Sequence, residues 1–189
     1  NTMKKSLFTL TLLFSISLFS QELTVTPDGL RDASNNDKSY VVINTPDKTA
    51  EQNYNNVLKY INKTYKNPKE VIKGDISFEY LKFDTFVSDF LFVKNGVTKV
   101  SNDAKFSIEI SLRNDKVKFE VISLNIYNKS GYEVLFSGRV LAGFPIYNKK
   151  KTKLRLPETK KDIEVYFNNT INNIKSYLLE DVKSTDDDW

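Results

Sequence analysis

The chain has 189 residues with no cysteine and no histidine, which excludes disulfides, thiolate and imidazole metal sites, and any Ser-His-Asp or Cys-His catalytic pair. Its six glycines, at 29, 74, 96, 131, 138 and 143, form neither a GxGxxG fingerprint nor a phosphate loop. With 28 basic and 24 acidic residues the net charge is +4, and these charges do not gather into the basic face that a nucleic-acid partner requires.

Met3, Lys4 and Lys5 precede an apolar run from Leu7 to Phe19. A short positive start and about a dozen apolar residues have the form of a secretory signal peptide. The run falls short of the ~20 apolar residues of a spanning helix. Ser20-Gln21 supplies a small residue before the cut, so residues 3–20 are expected to be removed. The alternative is an N-terminal anchor that stays in the membrane. Asn1 and Thr2, which precede Met3, are set aside. No cysteine is available for a lipid anchor, so the expected product is periplasmic or extracellular, not a lipoprotein, with no stable membrane insertion after cleavage. Removal of residues 1–20 leaves 169 residues, one domain's length. A chain of that size buries about two-thirds of its unfolded surface without staples.

Residues 21–39 begin as a short alternating strand, turn at Pro27-Asp28-Gly29 and pass into a polar loop over Ser34 to Lys38. Tyr40 to Ile43 is a short apolar strand. Ala50, Tyr54, Val57, Leu58, Ile61 and Tyr65 then share one face of a helix. Thr49 and Gln52 form a capping box at its start, and Asn67-Pro68 ends it, because the residue before a proline leaves the α region.

Val71 and Ile72 open a strand that Gly74-Asp75 interrupts. Ile76, Phe78 and Tyr80 alternate, and then Leu81 and Phe83 take over the apolar phase, which predicts a bulge or a tight turn. Phe86 to Val93 is nearly all apolar and predicts a buried strand, followed by an Asn95-Gly96 hairpin turn. Phe106, Ile108, Ile110 and Leu112 mark a half-buried antiparallel strand. Asn114-Asp115 turns it into a partner where Val117, Phe119 and Val121 give way to Ile122, Leu124 and Ile126, a second change of phase. Ser130-Gly131 leads to a strand over Tyr132 to Val140, and Gly143 to Pro157 is less regular. Thr159 is the expected N-cap of a last helix whose stripe is Ile163, Phe167, Ile171, Ile174 and Leu178. The order predicts an α+β domain over residues 40–183, with both helices on one face of a curved antiparallel sheet, and an acidic disordered tail over 184–189.

Three groups of side chains carry candidate chemistry. Asp84, Asp89 and Glu79 are the carboxylates that a two-acid hydrolase would use; the plainer role is to cap turns or face water. Lys149, Lys150, Lys151, Lys153 and Arg155 form the densest positive run, beside Phe144 and Tyr147. That run suits either an anionic ligand or an acidic partner, or a solvated loop that guards a sheet edge. Trp189, after Asp186-Asp187-Asp188, suits a docking peptide or a solubilising tail.

The segment KTAEQNYNNVLKYINKTYKNPKEVIKG, the hairpin FSIEISLRNDKVKFEVISLNIY and the helix after LPETKKDIE together resemble an uncharacterised family of secreted Bacteroidota proteins. The FSQ junction is similar to that family's leader. The resemblance implies a domain of unknown function with a TBP-like β-α-β-β-β-β-α fold, and it carries no active site. Its motifs are packing patterns over roughly Tyr40 to Leu179. The expected function is a non-enzymatic exported binding or interaction protein of the bacterial cell envelope. Its partner would be an envelope protein or a small ligand, with no cofactor, metal or nucleic acid. The alternatives are a carrier of a small apolar or amphipathic ligand, held in a pocket lined by Phe86 to Phe92 and inner tyrosines, and a carboxylate-dependent hydrolase.

Overall fold

A computed structural model of the chain describes residues 21–180; the expected leader and the acidic tail with Trp189 lie outside the described residues. A hairpin, β1 (Leu23–Thr26) and β2 (Gly29–Asp32), leads to β3 (Tyr40–Asn44) and helix α1 (Ala50–Thr64). A single helical turn, α2 (Pro68–Val71), precedes β4 (Ile72–Ile76), β5 (Tyr80–Asn95), β6 (Thr98–Arg113) and β7 (Lys116–Tyr127). β8 (Glu133–Gly138), a 3-10 turn, β9 (Gly143–Asn148) and helix α3 (Pro157–Leu179) complete the chain. The architecture is α+β, with a curved, mostly antiparallel seven-stranded sheet in the order β4-β5-β6-β7-β8-β9. β3 lies on the edge of β7 that also receives β8.

The helix signals act as expected at α1. The Thr49 hydroxyl accepts from the Gln52 N–H at 3.2 Å, and the Gln52 side chain accepts from the Thr49 N–H at 2.8 Å. Tyr54, Val57, Tyr60 and Ile61 are buried against the sheet's inner face, where Leu81, Phe83, Ile108, Ile110 and Phe119 meet them. α3 adds Ile163, Phe167, Ile171, Ile174 and Leu178 to the same core. Phe106 and Phe167 meet edge to face at 5.2 Å, and Phe90 meets Tyr166 at 4.8 Å. Each such pair adds about 1 kcal/mol beyond the buried area of its rings.

The first phase change is a turn: the Glu79 N–H donates to Ile76 O, and Phe78 takes a left-handed φ of 67°. The second is a bulge, because Ser107 faces Ser123 while Ile108 faces Val121, which leaves Ile122 as the extra residue.

Four expectations are corrected. Val71 belongs to the α2 turn, since Pro68 suits the first position of a helix. Phe86 to Val93 is not a buried strand: Phe86 and Phe92 are half exposed, and the register breaks between Val87 and Leu91. The apolar run is carried on two faces, and only Leu91 and Val93 are fully inward. α3 begins three residues early, at Pro157, with Leu156 in place of Thr159 as an N-cap that makes no side-chain bond; Thr159 is buried in the first turn. Part of the irregular segment after Gly143 is β9, which runs parallel to β8.

The β1–β2 hairpin packs on α3, and α3 side chains serve β1 as a substitute strand. Asn168 accepts from the Leu23 N–H at 2.8 Å and donates to Leu23 O at 3.0 Å. Glu164 accepts from the Val25 N–H at 2.8 Å and the Thr24 hydroxyl at 2.6 Å, and it pairs with Lys160. Burial pushes the Glu164 carboxyl up, but the bonds from Lys160, Thr24 and Val25 outweigh it and hold the group below its usual range. The native state therefore holds fewer protons here than the unfolded state, and stability rises with pH through this window. The contribution is complete above the ordinary value of 4.5 and is lost as pH falls through the lower native value. Glu164→Gln is expected to lower the urea midpoint at pH 7, and the gap from the parent chain to shrink when the same measurement is made near pH 3.

Candidate functional site

The two-residue Asn114-Asp115 turn sets which outward side chains of β6 and β7 stand opposite each other. The face of the sheet turned away from the helices is consequently built in rows. Tyr80, Ser111, Lys118 and Val42 form one row across β5, β6, β7 and β3. Lys82, Glu109, Glu120 and Tyr40 form the next, and Arg113, Lys116 and Asn44 form the end row.

The charges at the centre of β6 and β7 on this face are neutralised by one another. Lys118 lies 3.0 Å from Glu120 and 3.8 Å from Glu109, with its ammonium 5.4 Å from the centre of the Tyr40 ring. The Tyr80 hydroxyl donates to Glu109 at 3.2 Å, and the Ser39 hydroxyl donates to Glu120 at 2.5 Å. Burial pushes the Glu120 carboxyl up, but Ser39, Lys118 and the nearby Arg31 charge hold it below the usual carboxylate range. Ser107 donates to Asp84 at 2.7 Å.

The end row is different. Arg113 and Lys116 face each other directly, and neither has an ion-pair partner among the described residues. Like charges opposed across a sheet are unfavourable. They line a shallow groove of about 410 Å³ with Tyr40, Val42, Ser111 and Lys118. A guanidinium fork, an ammonium and a hydroxyl are together suited to a carboxylate, phosphate or sulfate group.

The basic run sits elsewhere. Asn148 accepts from the Thr152 and Lys153 N–H groups at 2.9 and 3.2 Å, shaping a turn in which Lys151 has a left-handed φ of 62°. Lys151 pairs with Asp28, and the Tyr147 hydroxyl donates to Val25 O at 3.1 Å. The turn therefore clasps the β1–β2 hairpin. Lys149, Lys150, Lys153 and Arg155 are exposed around it without ion-pair partners among the described residues. None of the five lines the groove.

The three acidic candidates do not meet. Asp84 is on the outer face, Asp89 sits in the β5 bulge against Ser101 and Asp103, and Glu79 lies in the β4–β5 turn. At roughly 3.3 Å per strand residue, neighbouring members of this set are on the order of 15 Å apart, beyond the ~5–10 Å of a working acid pair. The carboxylates brought together are Glu109 and Glu120, bridged by Lys118. Register arithmetic from the Asn114-Asp115 turn would have found them: 113 opposite 116 implies 109 opposite 120. Phe86 and Phe92 point to solvent, and the apolar space between Ile126, Phe136, Ile146 and Ile163 is about 10 Å³, scarcely a water's worth. Among the described residues no helix is long and apolar enough to cross a membrane.

The fold is similar to the crystal structure of a DUF4468 family protein from Bacteroides ovatus, at a TM-score of 0.52 and 12% identity over 77% of this chain and 90% of that one. Comparison with family models and with curated proteins finds no match. At that identity the likeness speaks for the fold, an α+β domain similar to that of the Bacteroides protein.

Lys116→Glu replaces the repulsive pair by an attractive one. It is expected to raise stability by about 0.5 kcal/mol, or ~1–2 °C in Tm by scanning calorimetry.

Proposed function

We propose that the protein is a non-enzymatic binding or interaction module of the bacterial cell envelope, exported by its leader, with a TBP-like β-α-β-β-β-β-α core. Its outer sheet face takes an anionic group in the groove at Arg113 and Lys116. The observation that carries this reading is the unneutralised, directly opposed cation pair, beside a face centre where Lys118, Glu109 and Glu120 are paired off. Two exposed like charges held together cost stability, and an anion bridging them removes that cost.

Isothermal titration with inorganic phosphate and sulfate, at constant ionic strength against chloride, tests the groove. Saturable binding is expected, weakened about tenfold or more by Arg113→Ala or Lys116→Glu, since charge-assisted bonds contribute ~1.5–3 kcal/mol each. Lys149→Ala with Lys150→Ala is expected to leave it unchanged. Binding lost only in the Lys149 and Lys150 variant would move the site to the basic turn, and absence of saturable binding would sink the reading. Export is tested separately by intact-mass analysis of protein from periplasmic and medium fractions. A chain starting near Gln21 is expected; a full-length chain retained in the membrane fraction would refute it.

A further inference from the structure

The edge of β7 opposite β6 is only partly covered. β3 pairs with Lys116–Glu120, and β8 pairs with Ile126 and Tyr127. Between them, residues 121–125 have β6 on one side, the bulged Ile122 excepted, and among the described residues no strand on the other. Their backbone groups also take no part in the loop hydrogen bonds of the described residues. β8 then parts from β7. Its pairing with β7 ends at Val134, while its pairing with β9 continues to Gly138. Had the ladder continued, Phe136 would stand opposite Leu124. Instead both line an opening of about 360 Å³, together with Leu30, Val121 and Ser39. Two strand edges thus face one slot.

The slot has its own floor. The hairpin tip, Asp28 to Arg31, closes it from the helix side and is fastened by the Lys151–Asp28 pair and the Tyr147 bond to Val25 O. The loops that flank it are already closed on themselves. The Lys38 N–H donates to Asn35 O, and the Asn128 N–H donates to Tyr132 O. Neither loop supplies the missing strand.

We propose that this slot takes an extended peptide segment of a partner protein, added as a strand beside residues 121–125. Unpaired strand edges demand backbone donors and acceptors, and an extended chain supplies them in the right alternation. Inward side chains would rest on Leu30, Leu124 and Phe136, and outward ones beside Ser123 and Asn125. The occupant is therefore a segment of about five residues, ~16 Å long, apolar at every second position. This inference rests on the binding-module reading and names its partner class. It uses a surface separate from the Arg113–Lys116 groove, so the phosphate titration and the peptide test can fail independently.

Amide hydrogen exchange of the chain as secreted, followed by NMR, tests it with a capped Thr-Val-Thr-Val-Thr-Val peptide as the probe. The control is the same peptide N-methylated at every second residue. In the free protein, the amides of 121–125 that point away from β6 are expected to exchange faster than those of Phe106 to Leu112. The peptide is expected to slow them at least about tenfold, and the methylated twin to have no such effect. Several results overturn the proposal. Full protection in the free protein at every dilution would mean that this chain fills its own slot. Protection that grows with protein concentration would assign the slot to a second copy. No slowing by the peptide, or equal slowing by its twin, would mean that no strand is added.

Discussion

The rest of the structure depends on one buried amide. Asn53 is fully enclosed in α1, and its Nδ2 donates to the Thr45 hydroxyl at 3.0 Å and to Arg113 O at 2.9 Å. Around it, the Asp115 N–H donates to Lys48 O, the Thr45 N–H donates to Asp115 O, and Asn114 accepts from the Ala50 N–H. The entry to the helix and the β6–β7 turn are thereby locked together. A buried donor left without these acceptors would cost about 1–3 kcal/mol, so the docking of α1 and the hairpin are interdependent. The Asn53 carbonyl oxygen has no partner among the described residues, which is a cost the junction carries.

That lock has consequences on the opposite face. It holds β3 against Lys116–Glu120 and holds the hairpin in the register that puts Arg113 opposite Lys116. The inner face is satisfied by packing and shows little chemistry. The outer face is satisfied by pairing, and its unpaired remainder is where a ligand can contribute. The same reasoning treats the basic turn differently, because the Asn148 side chain holds the turn's shape and Lys151, presented by it, pairs with Asp28 of the β1–β2 hairpin.

The departure of β8 from β7 also has a local cause. β9 runs beside β8 so closely at Gly143 that a Cβ there would lie 2.3 Å from Glu133 O, and Gly143 has a φ of 145°. No other residue fits such an approach without moving the backbone. The close parallel contact keeps β8 with β9, while the bulge at Ile122 bends β7. Together they open the ladder between Val134 and Glu120.

Local signals alone determined much of this protein. Thr49 and Gln52 capped α1, the alternation of Phe106 to Leu112 chose an inner face, and Asn114-Asp115 made a hairpin, because each depends on neighbours within a few residues. The class, α+β with helices against one face of the sheet, follows from those pieces. Where the local pattern was ambiguous, tertiary packing decided. The Phe86 to Val93 run spread over both faces, since an apolar run has no period to separate one buried face from two. The cation pair and the Glu109–Glu120 contact needed register, which joins residues distant in sequence. The parallel β9 and the slot beside 121–125 arise from how three strands share two edges, and no stretch of sequence carries that information by itself.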